Sequence, residues 1–367
     1  MRKRLQRPNQ SFAYLLSFPP NLAFAVSKLP VTIKAIARQL SLSISTVSRA
    51  LQDHPSIGLR TRERVQALAK QLQYTPNQIA LSLKHNRRYT LGVVLPDLLN
   101  PFFIQILEGI QEVAISRGYL LTICSSHEKT EDEKRAVRLL TRSRVDGFLI
   151  AVAQNGLTYE HLHKLTAQEV PLVLLDRPVA EVQASSVTCD SRAGAEALTC
   201  FLIEKGLRRI AHLQGPAGLE SSRERREGFL RAMQQHGLEV GKDYVQTTDL
   251  TTAVTEQATH ALLALRPRPE AIVAFNDYVA LDAGRIARLL GLRVNEDLVL
   301  VSFGNHPMSA YLNCPPLATI EQHAYSLGAQ ATEMLLRRIE SPALPLEHIR
   351  LQPQLVINQF PKALVVG

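Results

Sequence analysis

Apolar residues first fall into a rhythm at Ile33, Ile36, Ala37 and Leu40, an i, i+3, i+4, i+7 spacing that puts them on one face of a helix. Thr32 stands just before that run, where a hydroxyl can accept a bond from an orphan backbone N–H, so a short helix should begin there. After a Ser41-Leu42 break, Ser43 is placed to cap a second helix, Ile44 to Leu51, which buries Val47 and Leu51 and exposes Ile44, Ser45, Ser48 and Arg49. A third amphipathic helix is expected from about Thr61, with Val65, Leu68, Ala69 and Leu72 inward and Arg60, Arg62, Arg64 and Lys70 outward. Three such helices in so little chain predict a helix-turn-helix bundle whose second helix keeps one face for the core and one for reading. Asn77 to Leu83, with Asn77 as cap after Pro76, reads as a further helix too short to hold alone.

From Thr90 the rhythm changes. LGVVL (91–95), LLTIC (120–124), GFLIAV (147–152) and LVLL (172–175) alternate with amphipathic helical stretches, and RIAHL (209–213), AIVAF (271–275) and LVLVSF (298–303) form a second series. Short apolar strands separated by helices predict parallel sheets covered on both faces. Two series divided near residue 190 predict two similar lobes, with a ligand cleft at the carboxyl ends of their strands.

Charge separates the same two regions. Residues 1–90 hold 15 of the 42 Lys and Arg but only Asp53 and Glu63 of the 33 acids, a net +13, whereas the rest carries −4. Attraction for a polyanion therefore resides in the first quarter of the chain, as nucleic-acid binding by that part requires. Base edges present distinguishable donors and acceptors only in the major groove of duplex DNA, so the second helix belongs there.

Other chemistry finds little support. Cys124, Cys189, Cys200 and Cys314 lie far apart with no CxxC pair, which indicates neither a zinc site nor a disulfide framework. There is no GxSxG elbow, no phosphate-cradling glycine loop and no HExxH, so neither an enzyme nor a bound cofactor or metal is expected. No stretch approaches the roughly 18 uninterrupted apolar residues of a membrane helix. Arg2, Lys3, Arg4 and Arg7 precede an apolar run, Phe12 to Phe18, and Ala23-Phe24-Ala25 mimics a cleavage site, which would suit an exported binding protein. Pro19-Pro20 interrupts that run, and residues 1–30 read instead as a disordered or mis-started extension of a cytoplasmic protein.

VTIKAIARQLSLSISTVSRAL, TRERV and YTPNQIALSLK resemble the head of the lactose-repressor (LacI/GalR) family in order and spacing. DLLNPFF, RVDGFLI, VLLDRP, RREGF, FNDYVAL and AYLNCPPLATI extend the resemblance to about Gln359. It implies a DNA-binding domain at 31–76, a hinge helix and linker at 77–89, and an effector-binding and dimerisation domain at 90–367. That domain would be of the two-lobed, periplasmic-binding-protein-like type I, one lobe taking about 90–189 and 322–349, the other about 190–321 and 350–367. By the resemblance Thr32, Ser43, Thr46 and Asn77 belong to the DNA-binding set, with Ser43 and Thr46 on phosphates. Ile44, Ser45, Ser48 and Arg49 would face bases, and Leu83 would wedge into the minor groove of a pseudo-palindromic operator held by a homodimer. Phe102 and Phe103 would form apolar walls, and Asp176, Arg225, Asn276 and Asp277 polar contacts, for a sugar. Three positions depart from the family pattern: Ser41 replaces the usual turn glycine, Ala35 an early acid, and Gly304-Asn305-His306 an aspartate that binds ligand hydroxyls. The FGN run with NCPPLATIEQH is similar to the fructose-repressor branch, which makes a sugar phosphate held partly by Arg225 a second expectation.

Overall fold

The structure is a computed structural model that describes residues 31–74, 87–154 and 158–358. The chain divides into two compact units, Met1–Lys84 and His85–Gly367. The expected extension (1–30) and hinge helix, with Asn77 and Leu83, lie outside the described residues.

The first unit holds α1 (Ile33–Leu40), α2 (Ile44–Leu51) and α3 (Leu59–Gln71). Ile36, Val47 and Val65 meet at its centre without solvent exposure, joined by Ala37, Ala50, Leu68 and Ala69. Leu51 is only half-buried, because Ala50 takes the inward position one turn after Val47. The α1–α2 turn runs through Ser41 at φ 55°, ψ 41°, so a residue with a Cβ does here what glycine does at lower cost. α3 starts at Leu59, two residues before the expected Thr61, since the Gly58 carbonyl already accepts the Thr61 and Arg62 amides. Arg62, expected outward, is half-buried and donates to the Asp53 carbonyl oxygen at 3.2 Å.

The second unit has two lobes built alike. In the first, β1 (Thr90–Leu95), α4 (Pro101–Ser116), β2 (Leu120–Ser125), α5 (Thr130–Arg142), β3 (Gly147–Ile150), α6 (Glu160–Ala167), β4 (Leu172–Leu175) and β5 (Ser185–Cys189) alternate. In the second come α7 (Ser191–Glu204), β6 (Ile210–Gln214), α8 (Glu220–Gln235), β7 (Val245–Thr247), α9 (Thr252–Ala264), β8 (Ala271–Ala274), α10 (Asp277–Leu289), β9 (Val299–Phe303) and β10 (Ala318–Glu321). The chain then returns through α11 (Ala324–Glu340) and β11 (His348–Leu351) to the first lobe and ends its described course in β12 (Gln354–Ile357) of the second. The sheets run β11-β5-β4-β3-β1-β2 and β12-β10-β9-β8-β6-β7, parallel throughout except for β12 on β10. The first lobe's share therefore extends to Leu351, slightly beyond the expected 349, because the β11 ladder pairs Leu351 with Cys189.

Both strand faces are buried, as in β3 and β4, which explains their unbroken apolar runs. Helices close over them at very short range. A Cβ on Gly328 of α11 would stand 1.9 Å from the Ile106 carbonyl oxygen of α4, and one on Gly109 would stand 2.0 Å from that of Tyr325. α11 is thereby fixed to α4, and the two crossing segments around it are held in place beside the cleft.

Candidate DNA-reading face and effector cleft

On the head, Ser43 accepts the Thr46 amide at 3.0 Å and its hydroxyl lies 2.8 Å from those of Ser45 and Thr46. Thr32 caps α1 in the same way through the Ala35 amide at 3.3 Å. These caps aim the first turn of α2 outward with Ile44, Ser45 and Arg49 exposed and Thr46 and Ser48 half-buried. Neither α1, α2 nor α3 has an acid in its first turn, so their positive N-terminal ends remain uncompensated. Asp53 is engaged by Gln66 at 2.7 Å and faces Arg62 at 3.9 Å. The surface that results carries donors and cations, which suits phosphate and guanine edges.

In the second unit a narrow cleft, partly open to solvent, lies at the carboxyl ends of both sheets. Phe102, Phe103, Asp176, Arg225 and Asn276 all line it, as do Asn100, Glu128, Arg177, Phe275, Phe303, Gly304 and His306. Asn100 caps α4 through the Phe102 amide at 3.0 Å, which sets both phenylalanines at the cleft floor. Asp176 follows β4 in a left-handed conformation, φ 60°, and burial raises its carboxyl pKa against the pull of Arg177 and Arg225. Arg177 is already committed: its Nη1 and Nη2 each donate to Glu128 at 2.8 Å, and Nη1 also reaches the Val152 carbonyl oxygen at 2.8 Å.

Arg225 is less satisfied. Its guanidinium is stacked between Phe303, 3.9 Å from the ring centroid, and Phe275, at 4.4 Å, while Nη1 donates to the Phe275 carbonyl oxygen. Its buried Nε has no hydrogen-bond partner among the described residues, nor does any described carboxylate come within 4.0 Å of it. Burial pulls the group down to about 10, with Asp176 opposing, so it stays charged at neutral pH.

Asp277 corrects an expectation. It does not face the cleft: its carboxylate sits behind the wall, 1% exposed, accepting the Ser302 hydroxyl, the Thr319 hydroxyl at 3.1 Å and the His306 amide at 2.8 Å. With its oxygens so engaged it holds β9, β10 and the following loop together, and the cap of α10 comes instead from Asn276, through the Val279 amide at 2.9 Å.

A family profile of bacterial regulatory proteins of the lacI family matches residues 32–77, and one of periplasmic binding proteins and the sugar binding domain of the LacI family matches 88–358. The chain belongs to the LacI family. It is 32% identical to the ribose operon repressor of Halalkalibacterium halodurans over 90% of this chain and 97% of that one. Identity to the HTH-type transcriptional repressor PurR of Aliivibrio fischeri is also 32%, over 89% and 96%. Among solved structures, the lac repressor dimer bound to operator and the anti-inducer ONPF superposes with a TM-score of 0.76 at 26% identity, covering 89% and 98%. A LacI family regulator from Enterococcus faecium with bound ribose superposes with 0.65 at 26%, covering 74% and 99%.

Several cleft residues of this LacI-family chain escape a reading of the sequence. Phe303 ends β9 and Phe275 directly follows β8, and both look like core; only their position beside Arg225 gives them a face on the cleft. Arg177 stands next to Asp176 in VLLDRP and carried a signal, whereas its partner Glu128 is 49 positions away. His306 falls within the departure at Gly304-Asn305-His306, and no spacing rule points it inward.

Proposed function

We infer that this chain is a transcriptional repressor of the LacI type, in which a homodimer of three-helix heads reads a pseudo-palindromic operator in the cytoplasm and a sugar or sugar phosphate in the cleft controls it. The observation that carries the reading is one polypeptide joining an acid-poor helix-turn-helix surface, with Arg49 exposed, to a cleft lined by polar groups, among them Arg225 with an Nε that has no partner among the described residues. Heads related by a twofold axis contact two half-sites, which supports the dimer, as does the dimer on operator in the lac repressor structure. Ser43 and Thr46 supply phosphate contacts, Thr32 belongs to the same DNA-binding set, and Ile44, Ser45, Ser48 and Arg49 supply base contacts. Asn77 and Leu83 keep the hinge role the resemblance implies. Phe102 and Phe103 wall the ligand, and Asp176, Arg225 and Asn276 bind it. The bound ribose of the Enterococcus faecium regulator favours a polyhydroxy ligand of that size.

No helix among the described residues is long and apolar enough to cross a membrane. A gel-shift series on DNA upstream of the protein's own gene, at fixed moderate salt and with unrelated duplex as competitor, tests the function. Preference for one upstream duplex, altered by a sugar or sugar phosphate, is the expected result. Equal binding to every duplex with and without these compounds would overturn it.

A further inference from the structure

Parallel strands put their amino ends on one edge of a sheet, and in the first lobe that edge collects arginines. Arg87 and Arg88 stand before β1, Arg117 before β2, and Arg142 and Arg144 before β3. The register sets these turns side by side: Thr90 pairs with Leu120 and Leu91 with Gly147. The Leu120 amide donates to the Tyr89 carbonyl oxygen and the Asp146 amide to that of Thr90, both at 2.8 Å. Arg87 is engaged, its Nη2 donating to the Ile339 carbonyl oxygen at 2.8 Å. Arg88, Arg117, Arg142 and Arg144 are exposed, and none of their guanidiniums has a hydrogen bond or an ion pair among the described residues.

The acids of this edge do not meet them. Asp146 turns its carboxylate to the backbone, Oδ1 accepting the Arg88 amide at 2.7 Å and Oδ2 the Thr90 amide at 3.3 Å. Glu169, before β4, and Glu340, at the end of α11, are exposed and pair with no described cation. The sister lobe shows that the architecture does not impose this. On its equivalent edge Arg209 pairs with Glu270 at 2.6 Å, Arg293 with Asp297 at 2.7 Å, and Arg266 donates to the Leu265 carbonyl oxygen at 2.9 Å. The unpaired cations also stand out against their own surroundings, since residues 91–367 carry a net negative charge.

Several exposed guanidiniums without countercharge offer what a phosphodiester backbone takes, a fixed positive charge with forked N–H donors. Covalent continuity selects the polyanion. The chain enters the sensor unit at this edge, and the described part of the acid-poor head ends at Tyr74, thirteen positions before Arg87. Thirteen residues span at most about 45 Å, so a duplex held by the head is presented to this edge at high effective concentration.

We propose that the amino edge of the first lobe is a second DNA-contacting surface, on which Arg88, Arg117, Arg142 and Arg144 hold backbone phosphates of the duplex that the head reads. The proposal rests on the reading of the head as a DNA-binding domain. This surface adds affinity and no sequence preference, because phosphates are alike under every base.

The test uses the full chain and the upstream duplex it prefers, titrated over a series of salt concentrations. Arg117→Gln/Arg144→Gln is compared with Arg226→Gln/Lys242→Gln, which removes the same charge from exposed positions of the second lobe. The edge pair is expected to lower the slope of log affinity against log salt by one or more, at about 0.9 for each phosphate released. It weakens the preferred and an unrelated duplex alike, fivefold or more, with base preference and urea midpoint kept, and Arg88→Gln/Arg142→Gln does the same. The second-lobe pair leaves the slope unchanged. Equal effects from edge and second-lobe pairs would mean that net charge acts at a distance, and no effect from either edge pair would mean that the edge touches no DNA; both overturn the proposal, while a preference for the upstream duplex that Arg49→Ala relaxes keeps the reading of the head. Binding of a polyglutamate peptide that the edge pair abolishes, with DNA affinity untouched, would overturn it in favour of an acidic protein partner. If the unsubstituted chain prefers no duplex at any salt, the reading of the head falls and the proposal with it.

Discussion

His212 shows how a single buried group makes stability depend on pH. It is fully buried on β6, stacked on Phe229, with Nδ1 2.8 Å from the Val273 carbonyl oxygen; a carbonyl only accepts, so Nδ1 carries the proton. Nε2 has no partner among the described residues, and burial lowers the pKa to about 4. The unfolded chain thus binds a proton that the fold refuses between pH 6.5 and about 4, and stability falls as pH drops through that window. The expected loss from this group at pH 5 is about 2 kcal/mol. Urea unfolding at pH 7 and pH 5 should show a difference smaller by about that amount in His212→Asn, which keeps an N–H near the carbonyl; parallel losses in the two proteins would refute the assignment. On the head, Arg49→Ala is expected to relax base preference by about 1–3 kcal/mol, read by gel shift on single-base operator variants, with an unchanged preference ranking telling against a base contact. The family resemblance, not residue type or spacing, pointed to Arg225 and Asp176. It misplaced Asp277, because which neighbour of a strand end faces inward depends on the β9 and β10 hydroxyls that meet it, 25 and 42 positions away.

Elements were legible where one physical signal dominated. LVLL is β4 to the residue, and the other central strands match their apolar runs within a position or two, since burial on both faces leaves few polar interruptions. β5, β7, β10, β11 and β12 were not assigned from the pattern: SSVTC is polar by composition yet buried, ATIE is a four-residue strand with two polar positions, and the other three lie at sheet edges with half-exposed residues. Helix α4 falls in one of the amphipathic stretches between apolar runs, whereas α11 lies beyond the last run and was not assigned, and the pairing of the two through glycines depends on which faces the crossovers bring together. That pairing makes a sharp prediction. Gly328→Ala puts a methyl 1.9 Å from a backbone oxygen that cannot rotate away, so the helices must separate, and thermal or urea unfolding should show a loss of about 3 kcal/mol. The same change at Gly58, where a Cβ meets nothing within 4 Å, is the control expected to cost little.

At the scale of the whole sensor unit, three segments join the lobes: one at Asp190, one at 322–323 and one at 352–353. A ligand touching both walls favours one lobe angle over another, and control of operator binding then becomes a shift between populations. Arg350, at the end of β11, ties two of these segments together. Its Nη2 donates to Asp190 Oδ1 at 2.9 Å and to Glu224 Oε1 of α8 at 2.8 Å, beside the Asp190 amide that donates to the Leu351 carbonyl oxygen at 2.9 Å. Glu224 is buried enough that desolvation raises its pKa despite Arg350, so removing the arginine leaves a carboxylate without its countercharge and leaves the Asp190 side chain held only by the Ala193 amide it caps, at 2.9 Å. Arg350→Gln is therefore expected to speed hydrogen exchange at the Asp190 amide at least tenfold without a comparable rise at central strand amides such as Val173. In the same variant the factor by which an effector alters operator affinity should change by roughly 2- to 30-fold, since the hinge biases the equilibrium to which both sites couple. Faster exchange spread evenly over both sheets would mean that Arg350 contributes only general stability. Unchanged exchange together with an unchanged coupling factor would show that the lobes take their angle from the cleft walls and not from the segments that join them.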